Sequence, residues 1–124
     1  MTMKRIRLEL ARCHDFPEGS HDRGYDFAAP LDDDGHLIPS EWREQRERCR
    51  VRRFWGHEPG EIGHLMRKPG GGWAFHYDIH GDVSDDETGF RFDKHLFKPG
   101  EYVSIKEHDD KVRTFRVVSV SDLD

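Results

Sequence analysis

The 124 residues are enough for one domain (residues 1–124) with a modest core, and not for two. Hydrophobic residues make up 34% and charged residues 36%, yet eight Phe, three Trp and three Tyr argue against disorder, because disordered chains are poor in aromatics. A net charge of −5 gives no global case for nucleic acid or an anionic membrane. No run approaches the roughly 20 apolar residues of a membrane span, and the opening MTMKRIRLELAR has no apolar stretch of a secretory signal. Cys13 and Cys49 form neither a CxxC pair nor a zinc spacing, so two reduced thiols in a cytoplasmic protein are expected. The nine His could serve a metal, pH sensing or neither.

In residues 4–11, Ile6, Leu8 and Leu10 alternate with Arg5, Arg7 and Glu9, which predicts a first strand with one wet face. Residues 12–24 have loop composition. Tyr25, Phe27, Ala29 and Leu31 alternate again. They predict a peripheral strand, since Pro30 is tolerated mainly at sheet edges. Asp32-Asp33-Asp34-Gly35 reads as a turn, because the spacing and closing Glu of a calcium loop are missing. Ser40 is placed to cap a short helix over residues 41–47, with Glu41 in its first turn and Trp42 and Cys49 as anchors.

From residue 48 to 55 the period changes to that of a strand, with Arg48, Arg50 and Arg52 projecting from one face. Guanidinium forks recognise carboxylate and phosphate in a bidentate way. These three arginines are therefore candidate ligand-binding residues for an anion. Charge pairing with Glu41, Glu44, Glu47 and Glu58 on a wet surface is the competing explanation.

The stretch EIGHLMRKPGGGWAFHYDIH, residues 61–80, reads as a β-hairpin around Pro69-Gly70-Gly71-Gly72. Pairing Lys68 with Trp73 puts Ile62, His64, Met66, Trp73, Phe75, Tyr77 and Ile79 on the core face. The opposite face then carries Glu61, Gly63, Leu65, Arg67, Ala74, His76, Asp78 and His80. On that polar face Glu61 lies across from His80, beside Asp78, with Gly63 leaving open space. Two carboxylates and an imidazole suit a divalent metal, or a carboxylate-oriented general base. Glu61, Asp78 and His80 are therefore the candidate metal ligands, and a Glu61–His80 ion pair on an exposed strand is the plainer reading.

Phe90 and Phe92 straddle Arg91 in a further short strand. Lys98-Pro99-Gly100 is a turn into a last hairpin of residues 101–107 and 111–119, followed by a loose tail from Ser121. A two-residue Asp109-Asp110 turn would set Val103 against Arg116. An odd loop sets Val103 against Phe115 and puts Val103, Ile105, Phe115 and Val117 on one face. Burial of four such side chains outweighs turn preference, so the odd loop is expected.

Residues 97–120, FKPGEYVSIKEHDDKVRTFRVVSV, together with GHLMRKPGGGWAFHYD, resemble a family of short bacterial proteins of unassigned function, which implies no activity. Phe97-x-Pro99-Gly100-x-Tyr102-Val103 is similar to a strand-turn of ferredoxin-reductase-like flavin barrels. Arg113-Thr114-Phe115-Arg116 stands near the place of that family's flavin-contacting motif without its Tyr-Ser.

About eight short strands and one short helix predict a mainly β fold, a small antiparallel β-barrel or half-open roll. The function expected is a small ligand-binding or regulatory accessory domain. The alternative is a small metal-dependent enzyme centred on Glu61, Asp78 and His80. Expected partners are a small anionic molecule or another protein, not nucleic acid and not a membrane.

Overall fold

The computed structural model describes residues 3–68, 72–77, 87–90, 92, 95–107, 109 and 111–123. Eight antiparallel strands follow one another around a closed barrel: β1 (Met3–Leu10), β2 (Ser20–Pro30), β3 (Arg50–Trp55), β4 (Glu58–Arg67), β5 (Trp73–Tyr77), β6 (Glu87–Phe90), β7 (Tyr102–Lys106) and β8 (Val112–Asp122). Closure comes from β8 pairing with β1, from Lys4 opposite Asp122 to Leu10 opposite Phe115. Because every neighbour runs antiparallel, one end of the barrel collects the β1–β2, β3–β4 and β7–β8 connections. The other end collects the β4–β5 connection and helix α1 (Pro39–Gln45), the one α-helix among the described residues, which is followed by a 3-10 turn at Arg46–Arg48.

The alternation expected in β1 is present: Ile6, Leu8 and Leu10 are buried while Arg5, Arg7 and Glu9 face out. Three expectations are corrected. First, β2 is not peripheral, since it lies between β1 and β3 in a barrel with no edges. Pro30 fits because it is the last residue of β2, where its carbonyl accepts from Ile38 N–H and no ladder donor is required. Second, α1 begins at Pro39 rather than Glu41, and Ser40 makes no side-chain cap. Proline has no N–H to leave unpaired in a first turn and presets the helical φ. Third, residues 121–122 belong to β8, tied to β1 by pairing and by a Lys4–Asp122 ion pair.

The hairpin β4–β5 is one residue out of the expected register. Arg67, not Lys68, lies opposite Trp73, and the ladder continues as Leu65–Phe75 and Gly63–Tyr77. Lys68 N–H donates to Gly72 O, leaving a three-residue connection. On β5 Trp73, Phe75 and Tyr77 are buried as expected, but Ala74, expected on the polar face, is buried too, and Ile79 lies outside the described residues. On β4 the two faces are exchanged. Leu65 is fully buried, while Ile62 and Met66 are 42% and 37% exposed.

The cause is interior volume. Opposite three large rings the barrel has room for Gly63 and Leu65, not for Ile, His and Met at alternate positions. At Gly63 the two backbones approach so closely that a Cβ would stand 2.1 Å from the His76 carbonyl oxygen.

The C-terminal hairpin takes the odd loop, with Val103 opposite Phe115 and Lys106 opposite Val112. Val103, Ile105, Phe115 and Val117 are all buried. The segment from Phe97 to Glu101 leads into β7: Phe97 is buried, and Gly100, at φ 95°, donates its N–H to Val117 O.

The interior is filled by rings. Tyr25 lies 5.1 Å from both Phe75 and Phe115, Phe27 lies 5.2 Å from Phe75, and Phe92 lies 5.2 Å from Phe97. At the helix end, Trp42 meets Trp73 edge-on at 5.5 Å and donates its indole N–H to Leu65 O at 2.8 Å. An eight-stranded barrel can hold its own side chains or one small ligand. This one holds side chains.

Candidate functional site

The strand period puts Arg50 and Arg52 on the outer face of β3, because Val51 and Arg53 take the inward positions. Arg48 ends the 3-10 turn just before them. All three line one groove of about 350 Å³ on the outside of β1–β4, together with Arg5 of β1, Ile62 of β4 and Leu123. The sequence-predicted arginines therefore do converge. Asp26 is the single acidic residue lining the groove among the described residues.

Asp26 is shared. It accepts from Arg7 at 3.1 Å and lies 3.7 Å from Arg52. Arg7 also bonds Glu9 at 2.9 Å. Partial burial lowers the pKa of Arg7, but Glu9 and Asp26 outweigh this and hold it above its usual range. Arg7 and Arg52 both stand over Phe54, at 4.3 and 5.8 Å from the ring centre. Phe54 thus packs under guanidinium groups on the outer face rather than in the interior. Arg50 approaches His64 Nε2 at 3.5 Å. Arg5 is exposed and has no ion-pair partner among the described residues.

A larger groove, about 890 Å³, runs between residues 9–12 and 18–21 and the outer faces of β7 and β8. Glu9 and Glu18 there balance Arg12 and Arg116. Its size is greater but it offers no net charge, so the arginine groove is the better-defined chemical site.

Of the candidate metal ligands, Glu61 is half-buried on the inward face of β4, opposite Arg53. Asp78 and His80 lie outside the described residues. The open space expected beside Gly63 is absent, since Gly63 faces Tyr77 across a close backbone approach. Another group does come together: Asp32, Asp34 and His36 bring potential ligand atoms within 4.8 Å of one another. Their geometry is that of the expected turn. Asp32 Oδ1 accepts from the N–H groups of Asp34 and His36, both at 2.9 Å. The His36 N–H bond, helped by that of Asp34, holds the Asp32 carboxyl below its ordinary 3.8.

Sequence reasoning missed a charged cluster inside the barrel at the end opposite α1. The Glu107 side chain, 1% exposed, accepts from Tyr25 Oη at 2.6 Å, Arg53 Nε at 3.1 Å and Arg113 at 2.5 Å. Arg113 reaches Asp109 as well. Trp55 is ringed by guanidinium carbons of Arg53, Arg113 and Arg23, at 4.3, 5.3 and 5.9 Å from its centre. The signal was available in the expected register itself: the inward faces Val103-Ile105 and Phe115-Val117 extend by period two to Glu107 and Arg113.

No family model, no curated protein and no solved structure matches this chain. The resemblances noted above rest on the quoted residues alone. Among the described residues no helix is long and apolar enough to cross a membrane.

Proposed function

We propose that this chain is a small ligand-binding domain, an accessory or regulatory module, that takes an anionic molecule on the outer face of its barrel. The observation that supports the reading is the convergence of Arg5, Arg48, Arg50 and Arg52 on one groove with a single carboxylate among its described lining residues. Aromatic rings fill the middle of the barrel, so a ligand the size of this groove is accommodated on the outside. The groove volume falls in the range of small-molecule sites. Planar guanidinium forks suit a carboxylate or phosphate ligand, and Ile62 and Leu123 suit an apolar portion beside the charged groups.

The test is calorimetric titration of the full chain with pyrophosphate and with citrate at low salt. Saturable binding that weakens as salt rises is expected. Reversing two exposed charges, Arg5→Glu with Arg50→Glu, abolishes it while the thermal midpoint stays near wild type. An absence of binding, or binding indifferent to the double reversal, overturns the proposal.

A further inference from the structure

Two indoles meet at the helix end of the barrel, and their N–H groups fare differently. Trp42 Nε1 is bonded to Leu65 O. Trp73 Nε1, on a residue only 1% exposed, has no acceptor among the described residues. Directly across the β4–β5 ladder stands Arg67, whose guanidinium carbon lies 4.9 Å from the Trp73 ring centre. One guanidinium nitrogen of Arg67 is also sealed from solvent, again with no acceptor among the described residues. No carboxylate among those residues pairs with Arg67.

A buried donor without an acceptor carries its full desolvation cost, and a charged one more than a neutral one. Here two such donors, one of them cationic, belong to facing residues of a single ladder rung. Native structures rarely leave buried polar groups in this state, and each instance asks for a missing partner. A water molecule supplies an acceptor but no charge. An oxyanion supplies both: one oxygen for the indole N–H, another for the guanidinium, and a countercharge that the described residues do not give Arg67.

We infer that Arg67 and Trp73 form a site for a small oxyanion, a carboxylate or phosphate group, at the helix end of the barrel. The site is separate from the outer arginine groove: it sits on the inward face of β4 and β5 and shares no residue with that groove.

Trp73 is its own reporter. The chain has three Trp, so a proton–nitrogen correlation spectrum shows three indole signals, and Trp73→Phe identifies the one that matters. Full-length protein is titrated with inorganic phosphate and, separately, with acetate at constant ionic strength. The Trp73 signal is expected to move downfield saturably while those of Trp42 and Trp55 stay in place. Arg67→Met should weaken the response at least about tenfold, as loss of a charge-assisted hydrogen bond implies; Arg67→Lys should restore part of it.

A Trp73 signal in the wild type that ignores both anions means that water or another group of the chain satisfies the donor, and the inference fails. A shift that survives Arg67→Met, or that all three indoles share, means non-specific association, and the inference fails equally. The wild-type titration decides even if Arg67→Met does not fold. Arg5→Glu with Arg50→Glu should leave the Trp73 response intact, which separates this site from the outer groove.

Discussion

Replacing Glu107 with Ala tests how the open end of the barrel is held. The substitution removes the one carboxylate that Tyr25, Arg53 and Arg113 share. The three side chains of the ion network are 1%, 10% and 12% exposed, so solvent does little to screen or replace the lost interactions. Breaking a buried ion pair from one side costs about 3–5 kcal/mol, mostly because the partner charge is left without compensation. Arg113 keeps Asp109, which softens its share. The expected loss is therefore near the lower bound, about 3 kcal/mol, a drop in the thermal midpoint of roughly 10–15 °C for a chain of this size. Glu107→Gln, which keeps an acceptor oxygen but no charge, should lose about 2 kcal/mol. Glu107→Leu with Arg53→Met should recover part of the single-variant loss, since an apolar pair leaves less charge stranded. Urea unfolding followed by tryptophan fluorescence gives each value. A loss below about 1 kcal/mol for Glu107→Ala, the range of an exposed pair, would refute the view that this network is a buried fastening.

Other outcomes follow from single sites. Gly63→Ala should destabilise by about 1–3 kcal/mol, as forced overpacking does, because its Cβ would collide with His76 backbone; an unchanged urea midpoint would contradict the observed register. Burial, opposed only weakly by Arg48, pushes the Cys49 thiol up to about 11. Iodoacetamide at pH 8 should therefore label Cys49 only after unfolding, while the half-buried Cys13 reacts in the native protein. Asp32 and Asp109 titrate below the ordinary 3.8: backbone hydrogen bonds led by His36 lower Asp32, and at Asp109 burial, which raises it, is outweighed by the Lys111 N–H and Arg113. Depressed carboxyls contribute stability that is full above the unfolded value and is lost as pH falls through the folded one, so the stability they supply should disappear below about pH 4. Carboxyl carbon chemical shifts check this directly, and an Asp32 midpoint at or above 3.8 would count against it.

The fold was legible wherever alternation and volume pointed the same way. β1 and β8 have one plainly apolar face each, and burial fixed the β7–β8 register against the local appeal of a two-residue turn. In β4 the two criteria separated. Counting apolar residues favours Ile62, His64 and Met66 on the inside, but the count ignores how large Trp73, Phe75 and Tyr77 are. A barrel closes around a fixed volume, and Gly63 opposite Tyr77 satisfies that volume where Ile62 does not. The strand could yield its apolar residues to the outside because their exposure there costs less than a clash in the interior. Pro30 misled for a related reason: a proline marks the edge of an open sheet, yet a closed barrel has only strand ends, and Pro30 stands at one.

That same exchange of faces on β4 shapes the candidate sites. With Ile62 turned out, the arginine groove gains an apolar wall that the expected register would have withheld from it. With Arg67 turned in, a guanidinium stands against Trp73 where the expected register had placed Lys68. Arg48, Arg50 and Arg52 were readable because their clustering is a property of neighbouring positions on one segment. Arg5, which completes the groove from another strand, was not, because only the order of strands brings it there. The interior charges were half-readable: Glu107 and Arg113 occupy inward positions in a register already expected, but their partner Arg53 arrives from β3, three strands away from β8 around the barrel by way of β1 and β2. Local pattern names which residues face which way; closure decides which of them meet.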